Sequence, residues 1–455
     1  MRALQLRRAR PLLCALHKSR ATWGIAWLGL NHPDLIALLF AAARVGVVLA
    51  PLNFRLAPAE WDAVLADCTP RCVIHDAAWA DAARALAQRH GLAAHGIAAP
   101  DAAPVQDGAA PSGASDLPVL LVYTSGTTGA PRGAVHTQGN LLANMAIAAR
   151  VQRITPADTV LTALPLFHVG GLCIQTLPAL YAGACVTLQA RFDPAAFLAC
   201  MATERPTLTL VVPAVMKALV EHPAWPATDL SCLRAAWAGS STLPQALVDA
   251  FHARGLPVCN VYGATETGPF SIALDEARAM AHAGACGWPV PGVQARLADV
   301  SNGVGEVLLR GPNVVRSYWP DVPAVDADGW FHSGDLAQVD ATGCWRIVGR
   351  AKDMIISGGE NIYPAEIENV LAAHPDVAEC AVVGMPDARW GEAVVAAVVT
   401  RGGLALDAQA LQGWLGQRVA RYKLPRRYVA VESLPRTALG KVQKSRLQPL
   451  LQQAS

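Results

Sequence analysis

Tyr123 to Gly133 reads YTSGTTGAPRG and follows directly on the apolar run LPVLLV. An apolar run bounded by such punctuation predicts a buried strand, here one that runs out into a loop of three glycines. Glycine lets backbone approach a ligand closely and tolerates positive φ. Thr124, Ser125, Thr127 and Thr128 add hydroxyls, Gly126 and Gly129 add accessible N–H groups, and Arg132 adds a positive charge. Together these groups can grip an anion such as phosphate. The stretch is neither a Walker loop nor a G-x-G-x-x-G fingerprint. On the residues alone, a phosphate grip and a plain flexible turn both stand.

The flanking sequence alternates helix and strand. LNHPDLIALLFAAARVGVVLAPLN predicts a strand end, a helix from about Asp34 to Arg44 and a buried strand, and APAEWDAVLADC then RCVIHD repeats the unit. Further strands are expected near residues 159–163, 184–188, 207–211, 235–238 and 258–261, which implies parallel sheet covered by helices. Residues 98–116, rich in Ala, Pro, Gly and Asp, read as an exposed loop. Near Gly303 the texture changes to short strands and turns, a meander or small barrel. After GRAKD it changes again to a separate αββαβ-like unit. The expected fold is thus α/β: a large N-terminal domain of βα sheets (1–349) with a small β-barrel-like subdomain, then a mobile C-terminal α+β domain (350–455).

Composition narrows the function. With 455 residues and 53% hydrophobic content the chain buries a large core, and a formal charge of +2 offers no basic footprint for nucleic acid. Eleven cysteines scattered singly suggest reduced thiols in a cytoplasmic protein, and Cys68, Cys72 and His75 fall short of a zinc set. The apolar stretches are too short and too interrupted for a membrane span. The first 33 residues hold no acid and several Lys and Arg, like a transit peptide, yet no apolar segment with a cleavage site follows.

YTSGTTGAPRGAVHTQGNL resembles the phosphate loop of the AMP-forming acyl-adenylate superfamily, and the resemblance continues in order. LPLFHVGGL, GSSTLP, VYGATETG, GEVLLRGPNVVRSYW, GWFHSGD, GRAKDMIISGGENIYPAEIE and PRTALGKVQKSRL match its further motifs, covering roughly Gly24 to Leu447. The resemblance implies an acyl-CoA synthetase that uses ATP, Mg2+ and CoA to turn a carboxylic acid into acyl-AMP and then acyl-CoA. The assembly is left open, with a homodimer among the options. An enzyme loading a carrier protein, or a nucleotide binder without turnover, are the alternatives; ISGGENIYP with RWGE fits CoA.

Carried over residue by residue, the resemblance gives Thr124, Ser125, Gly126, Thr127, Thr128 and Gly129 the β and γ phosphates. Arg132 stands where the family has Lys, keeping the charge with a different shape. Thr265 and Glu266 would bind phosphate and Mg2+, a hard cation that prefers oxygen ligands. Gly239, Ser240, Ser241 and Gly263 would lie along adenine, with Tyr262 stacked on the ring. GSST departs from the usual loop, which has a second Gly and then Ala-Pro. Asp335 and Arg350 would hold the ribose, Lys441 the α-phosphate and carboxylate, and Lys352 the hinge. Gly358 and Gly359 would admit the CoA arm beside Trp390, and His168 would gate the acyl pocket. His136 and His332 are read as ordinary structural histidines.

A pocket of His168, Val169, Gly170, Ala238, Gly239 and Gly263 suits a fatty or aromatic monocarboxylate better than a dicarboxylate, which would need a buried cation. Side chains alternate along a strand, so an inward Ala238 turns Trp237 toward the core. The region before Gly24 does not resemble the family's usual opening. A shortened N-terminus is therefore expected, with a sheet edge left open.

Overall fold

The computed structural model describes residues 24–96, 115–125, 131–239, 243–437 and 441–453. Its first strand, β1 (Gly24–Leu28), is followed by α1 (Pro33–Val45), β2 (Val48–Pro51), α2 (Pro58–Cys68), β3 (Cys72–His75), α3 (Ala80–Arg89) and β4 (Ala93–Gly96). Proline opens α1 and α2, where a missing N–H costs nothing. Gly46 at φ +73° ends α1, and the Glu60 carboxylate accepts from the Ala57 N–H at 2.8 Å to cap α2. β1 is paired on both sides, with β2 and β3 in parallel, so it is an inner strand.

The apolar run of the decisive stretch forms β5 (Pro118–Ser125), which turns back on itself as β6 (Pro131–Thr137) with Thr124 opposite Arg132. Residues 126–130 of the glycine stretch, between these two strands, lie outside the described residues. Thr137 then caps α4 (Gln138–Val151), its hydroxyl accepting from the Asn140 N–H at 3.1 Å. Strands β5 and β6 extend the first sheet beside β2, and its two faces carry separate apolar clusters.

A second sheet comes from β7 (Thr159–Thr162), β8 (Cys185–Leu188), α5 (Pro194–Thr203), β9 (Leu208–Val211), α6 (Pro213–Val220), β10 (Ala235–Gly239), α7 (Gln245–His252) and β11 (Val258–Tyr262). Two short antiparallel strands, β12 (Ile272–Ala273) and β13 (Trp288–Pro289), complete it. Its parallel strands lie between helices, and Trp237 on β10 is fully buried against Phe270, ring centroids 5.6 Å apart. Each strand expected here is present within a residue or two.

The following stretch, β14 (Gln294–Ser301) and β15 (Val304–Arg310), leads into a two-stranded excursion, β16 (Ser317–Tyr318) and β17 (Val322–Pro323), that joins the first sheet. With β18 (Phe331–Val339) and β19 (Trp345–Arg350), β14 and β15 make a four-stranded antiparallel sheet. Among the described residues β14 and β19 do not pair with each other, so the subdomain is the open meander and not the closed barrel. A fourth sheet holds β20 (Ile355–Ser357), β21 (Glu360–Ile362), β22 (Val377–Asp387), β23 (Gly391–Thr400) and β24 (Arg427–Ala430), with α8 (Pro364–Ala372) and α9 (Ala408–Gly416) on one face. Leu447 and Leu451 of α10 (Lys444–Gln453) close the other. Most of the expected loop at 98–116 lies outside the described residues.

Candidate active site

The parallel strands of the second sheet deliver Gly239 and Tyr262 at the carboxyl ends of β10 and β11, with Gly239 paired to Val261. This is where open α/β sheets bind ligands, because the chain leaves the sheet in loops there. Both glycines at this edge are sterically required. A Cβ on Gly263 would stand 1.9 Å from the Pro269 carbonyl oxygen, and one on Gly239 would stand 2.7 Å from that of Val261.

The meander meets the same edge. Tyr262 donates its hydroxyl to Asp335 Oδ2 at 2.9 Å, and Arg350 Nε lies 2.9 Å from Asp335 Oδ1. Asp335 and Arg350 sit opposite each other on β18 and β19, which fixes the ion pair by register. The Ser333 hydroxyl accepts from the Asp335 N–H at 3.1 Å. Burial, then the charge of Asp335, pushes the Tyr262 phenol well above its ordinary pKa, so it remains a donor.

Thr265 and Glu266 lie in one helical turn after β11. Glu266 is buried and accepts from the Tyr318 hydroxyl at 2.8 Å, while the Arg132 guanidinium lies 5.7 Å from the centre of the Tyr318 ring. Tyr318 therefore links the arginine of the hairpin to the acid of the turn. In the sequence Tyr318 stands within RSYW with no role of its own. Its only signal was a polar aromatic inside an otherwise matched motif.

Beneath this turn lies His136 on β6. It is fully buried and neither ring nitrogen has a well-formed hydrogen bond, although the Thr265 backbone approaches one. Burial pushes its pKa down to about 4. His168 accepts from the Gly170 N–H at 2.9 Å through Nδ1, and burial, then the charge of Lys441, also pushes it down to about 4. Both imidazoles are neutral at pH 7. His332, by contrast, sits at the surface between Asp326 (3.0 Å) and Glu306 (3.5 Å) and is raised by that company, which agrees with a structural reading.

Lys441 reaches this cleft from the other domain. It is open to solvent yet crowded by protein, and desolvation first, then Arg350, lowers its pKa, while Asp335 and Glu266 oppose that shift. One ammonium is thus within electrostatic range of His168, Glu266, Asp335 and Arg350. Two further contacts hold the domains in this arrangement, both missed from the sequence: Lys217 Nζ donates to the Ala378 carbonyl at 3.3 Å, and Arg401 lies 3.7 Å from Glu221.

The other expected residues lie elsewhere. Lys352 is exposed in the short turn Ala351–Asp353 between β19 and β20. Gly358 and Gly359, at φ +62° and +87°, form the two-residue tip of the β20–β21 hairpin. The Gly358 N–H donates to the Trp390 carbonyl at 2.8 Å, and a Cβ on Gly358 would stand 2.8 Å from the Trp390 ring. Thr124 is on β5, and its hydroxyl donates to the Arg132 carbonyl at 3.4 Å. Gly126, Thr127, Thr128, Gly129, Ser240 and Ser241 lie outside the described residues, as does the side chain of Ser125. Val169 and Ala238 of the expected acyl pocket are fully buried. Among the described residues, Cys68, Cys72 and His75 do not bring three ligand atoms together. Both thiols are buried, with pKa pushed up to about 12 and about 11, and His75 Nδ1 faces the Asp76 carbonyl at 2.8 Å.

Comparison with known families agrees with this geometry. Residues 12–319 match the model of the AMP-binding enzyme family, and residues 366–441 match that of the AMP-binding enzyme C-terminal domain. The chain belongs to the AMP-binding enzyme family. Within the AMP-forming acyl-adenylate superfamily, its activity is that of an acid–CoA ligase, drawing on ATP, Mg2+ and CoA. An indoleacetate–CoA ligase of Aromatoleum aromaticum is 44% identical over 94% of this chain and 88% of its own length. A feruloyl-CoA synthase of an Amycolatopsis species is 42% identical over 92% of this chain and 87% of its own. Among solved structures, ATP-bound MatB of Rhodopseudomonas palustris is 30% identical, covers 99% of this chain and 93% of its own, and superposes with a TM-score of 0.88. Apo MatB, at the same coverage, gives 0.77. This AMP-binding enzyme thus resembles the nucleotide-bound arrangement more than the empty one.

Proposed function

We propose that the chain ligates an aromatic carboxylic acid to CoA, with the cleft of Tyr262, Glu266, Asp335 and Lys441 as its adenylation site. The carrying observation is Lys441, a cation that the C-terminal domain brings within electrostatic range of Glu266, Asp335 and His168 of the N-terminal one. In the first step a carboxylate oxygen attacks the α-phosphorus and the bond to pyrophosphate breaks. Negative charge gathers on the phosphate oxygens, where a pre-placed ammonium stabilises it most. Asp335 offers two carboxylate oxygens to the ribose hydroxyls, with Tyr262 and Arg350 fixing its orientation. Tyr262 stacks on adenine beside Gly239, Ser240, Ser241 and Gly263, and the stretch from Thr124 through Gly129, with Arg132, holds the β and γ phosphates.

Glu266 fits a Mg2+ site, being a buried carboxylate with one oxygen engaged by Tyr318 and a second left for a cation. The bound Mg2+ supplies charge neutralisation on the phosphates. In the second step the thiolate of CoA attacks the acyl carbon and AMP leaves with the electron pair. Gly358, Gly359 and Trp390 line the thiol's path once the C-terminal domain has turned about Lys352. In support of a boundary at 349/350, β19 ends at Arg350 and a new sheet begins at Ile355. His168, held neutral, closes the acyl pocket without adding charge to it.

An aromatic acid is favoured because the two relatives named above take indoleacetate and ferulate, and because Val169, Gly170 and Ala238 offer an apolar wall. The ten described cysteines are free thiols, in keeping with a reducing cytoplasm, and the reading keeps a homodimer as the assembly. A panel of aryl, fatty and dicarboxylic acids, assayed for AMP and thioester with and without CoA, tests the reading. CoA-dependent turnover with highest kcat/KM on aryl acids is expected. A preference for fatty acids would sink the aromatic assignment, and AMP formation without any CoA thioester would sink the acceptor.

A further inference from the structure

Away from the cleft, the tight turn from β18 to β19 carries Asp340 and Cys344, and the irregular segment between β12 and β13 carries His282. The nitrogen, oxygen and sulfur ligand atoms of these three side chains all lie within 4.8 Å of one another. They border a cavity of about 290 Å3 whose wall also holds Ala285, Gln338 and Arg346. We propose that His282, Asp340 and Cys344 bind Zn2+ or a closely similar borderline divalent cation, with solvent as the fourth ligand.

Zinc bonds of about 2.0–2.3 Å at tetrahedral angles put ligand atoms roughly 3.3–3.8 Å apart, so closure asks for about 1 Å of side-chain adjustment. The frame that would hold them is already in place. Asp340 Oδ1 accepts from the Thr342 N–H (2.8 Å), the Thr342 hydroxyl (2.6 Å) and the Cys344 N–H (3.0 Å), which fixes the carboxylate. The His282 ring packs edge-on against Trp288, centroids 5.1 Å apart, and Trp288 Nε1 donates to the Thr342 carbonyl at 3.1 Å. Two bonds, Trp345 N–H to the Gly287 carbonyl (2.7 Å) and Cys286 N–H to the Trp345 carbonyl (2.8 Å), tie the two segments together behind them.

Ligand chemistry selects the metal. A thiolate with an imidazole and a carboxylate suits Zn2+ or Co2+ and not Mg2+ or Ca2+, which want oxygen alone. Arg346 on the cavity wall repels a bare cation, so binding depends on Cys344 giving up its proton to solvent. Arg278, which stacks on Trp288, is itself paired with Asp275 at 2.7 Å. Metal at this point would bind the β18–β19 hairpin, which carries Asp335 and Arg350, to the sheet that carries Tyr262.

Metal-stripped protein titrated with Co2+ is the test. One equivalent should raise a thiolate-to-cobalt charge-transfer band that Zn2+ removes. Cys344→Ser should abolish the band, and His282→Ala, a change at a half-exposed position, should weaken Zn2+ at least about tenfold. Cys185→Ala, which removes an exposed thiol elsewhere, should leave both unchanged. No band, a band that survives Cys344→Ser or vanishes in Cys185→Ala, or an unaltered Zn2+ affinity in His282→Ala would each overturn the proposal.

Discussion

His136 and His168 show what a buried imidazole costs and when. Each has a folded-state pKa near 4, below the ordinary 6.5, so the native protein binds fewer protons than the unfolded chain between those values. Stability from these groups is complete above pH 6.5 and is lost as pH falls toward 4, by about 3 kcal/mol for the fully buried His136. His136→Gln should flatten that slope. Urea unfolding at pH 7 and pH 5 would show it, and an equal loss in wild type and variant would contradict the account. At this scale the chemistry-bearing residues were readable only through ordered motifs. Asp335 alone is one acid among many; GWFHSGD gives it a role, and register with Arg350 then explains its orientation. Tyr318 stayed hidden because nothing in the sequence puts its phenol against a carboxylate 52 residues earlier.

Among the elements, the β20–β21 hairpin turns on Gly358 and Gly359, two positive-φ residues in succession, as such tight turns demand. The Gly-Gly pair was a visible hairpin signal, overshadowed by its place in a binding motif. Gly358→Ala adds strain at φ +62° and drives a methyl group into the Trp390 ring, a cost of about 1–3 kcal/mol. Thioester formation should fall about tenfold or more while acyl-AMP formation holds, since Lys441 and the proposed nucleotide cleft lie elsewhere. Rapid-quench measurement of each half-reaction decides it; equal losses would mean the hairpin serves folding alone. The βα units were legible because short buried strands and Pro-started helices leave strong periodic signals. The open form of the meander was not, since closure depends on which edges meet and not on any local pattern. For the same reason the sequence could not reveal that β1 is an inner strand.

At the scale of the molecule, the proposed adenylation site lies where two domains meet. The N-terminal domain contributes Tyr262, Glu266, Asp335 and His168, and the C-terminal domain contributes Lys441, held in place by the Lys217–Ala378 and Arg401–Glu221 contacts. Surface contacts of this kind are worth about 1 kcal/mol or less, so they bias the arrangement without locking it, which suits the turn of the C-terminal domain proposed between the two steps. The motifs announced both domains, but the contacts that set their relative orientation come from surface residues with no pattern of their own. The most direct measurement of the central claim uses Lys441→Ala in two assays: acyl-AMP formation from acid and ATP, and thioester formation from supplied acyl-AMP and CoA. The account predicts that the first is abolished and the second persists near the wild-type rate, with ATP binding nearly intact. Equal loss of both reactions, or adenylation that survives, would contradict it.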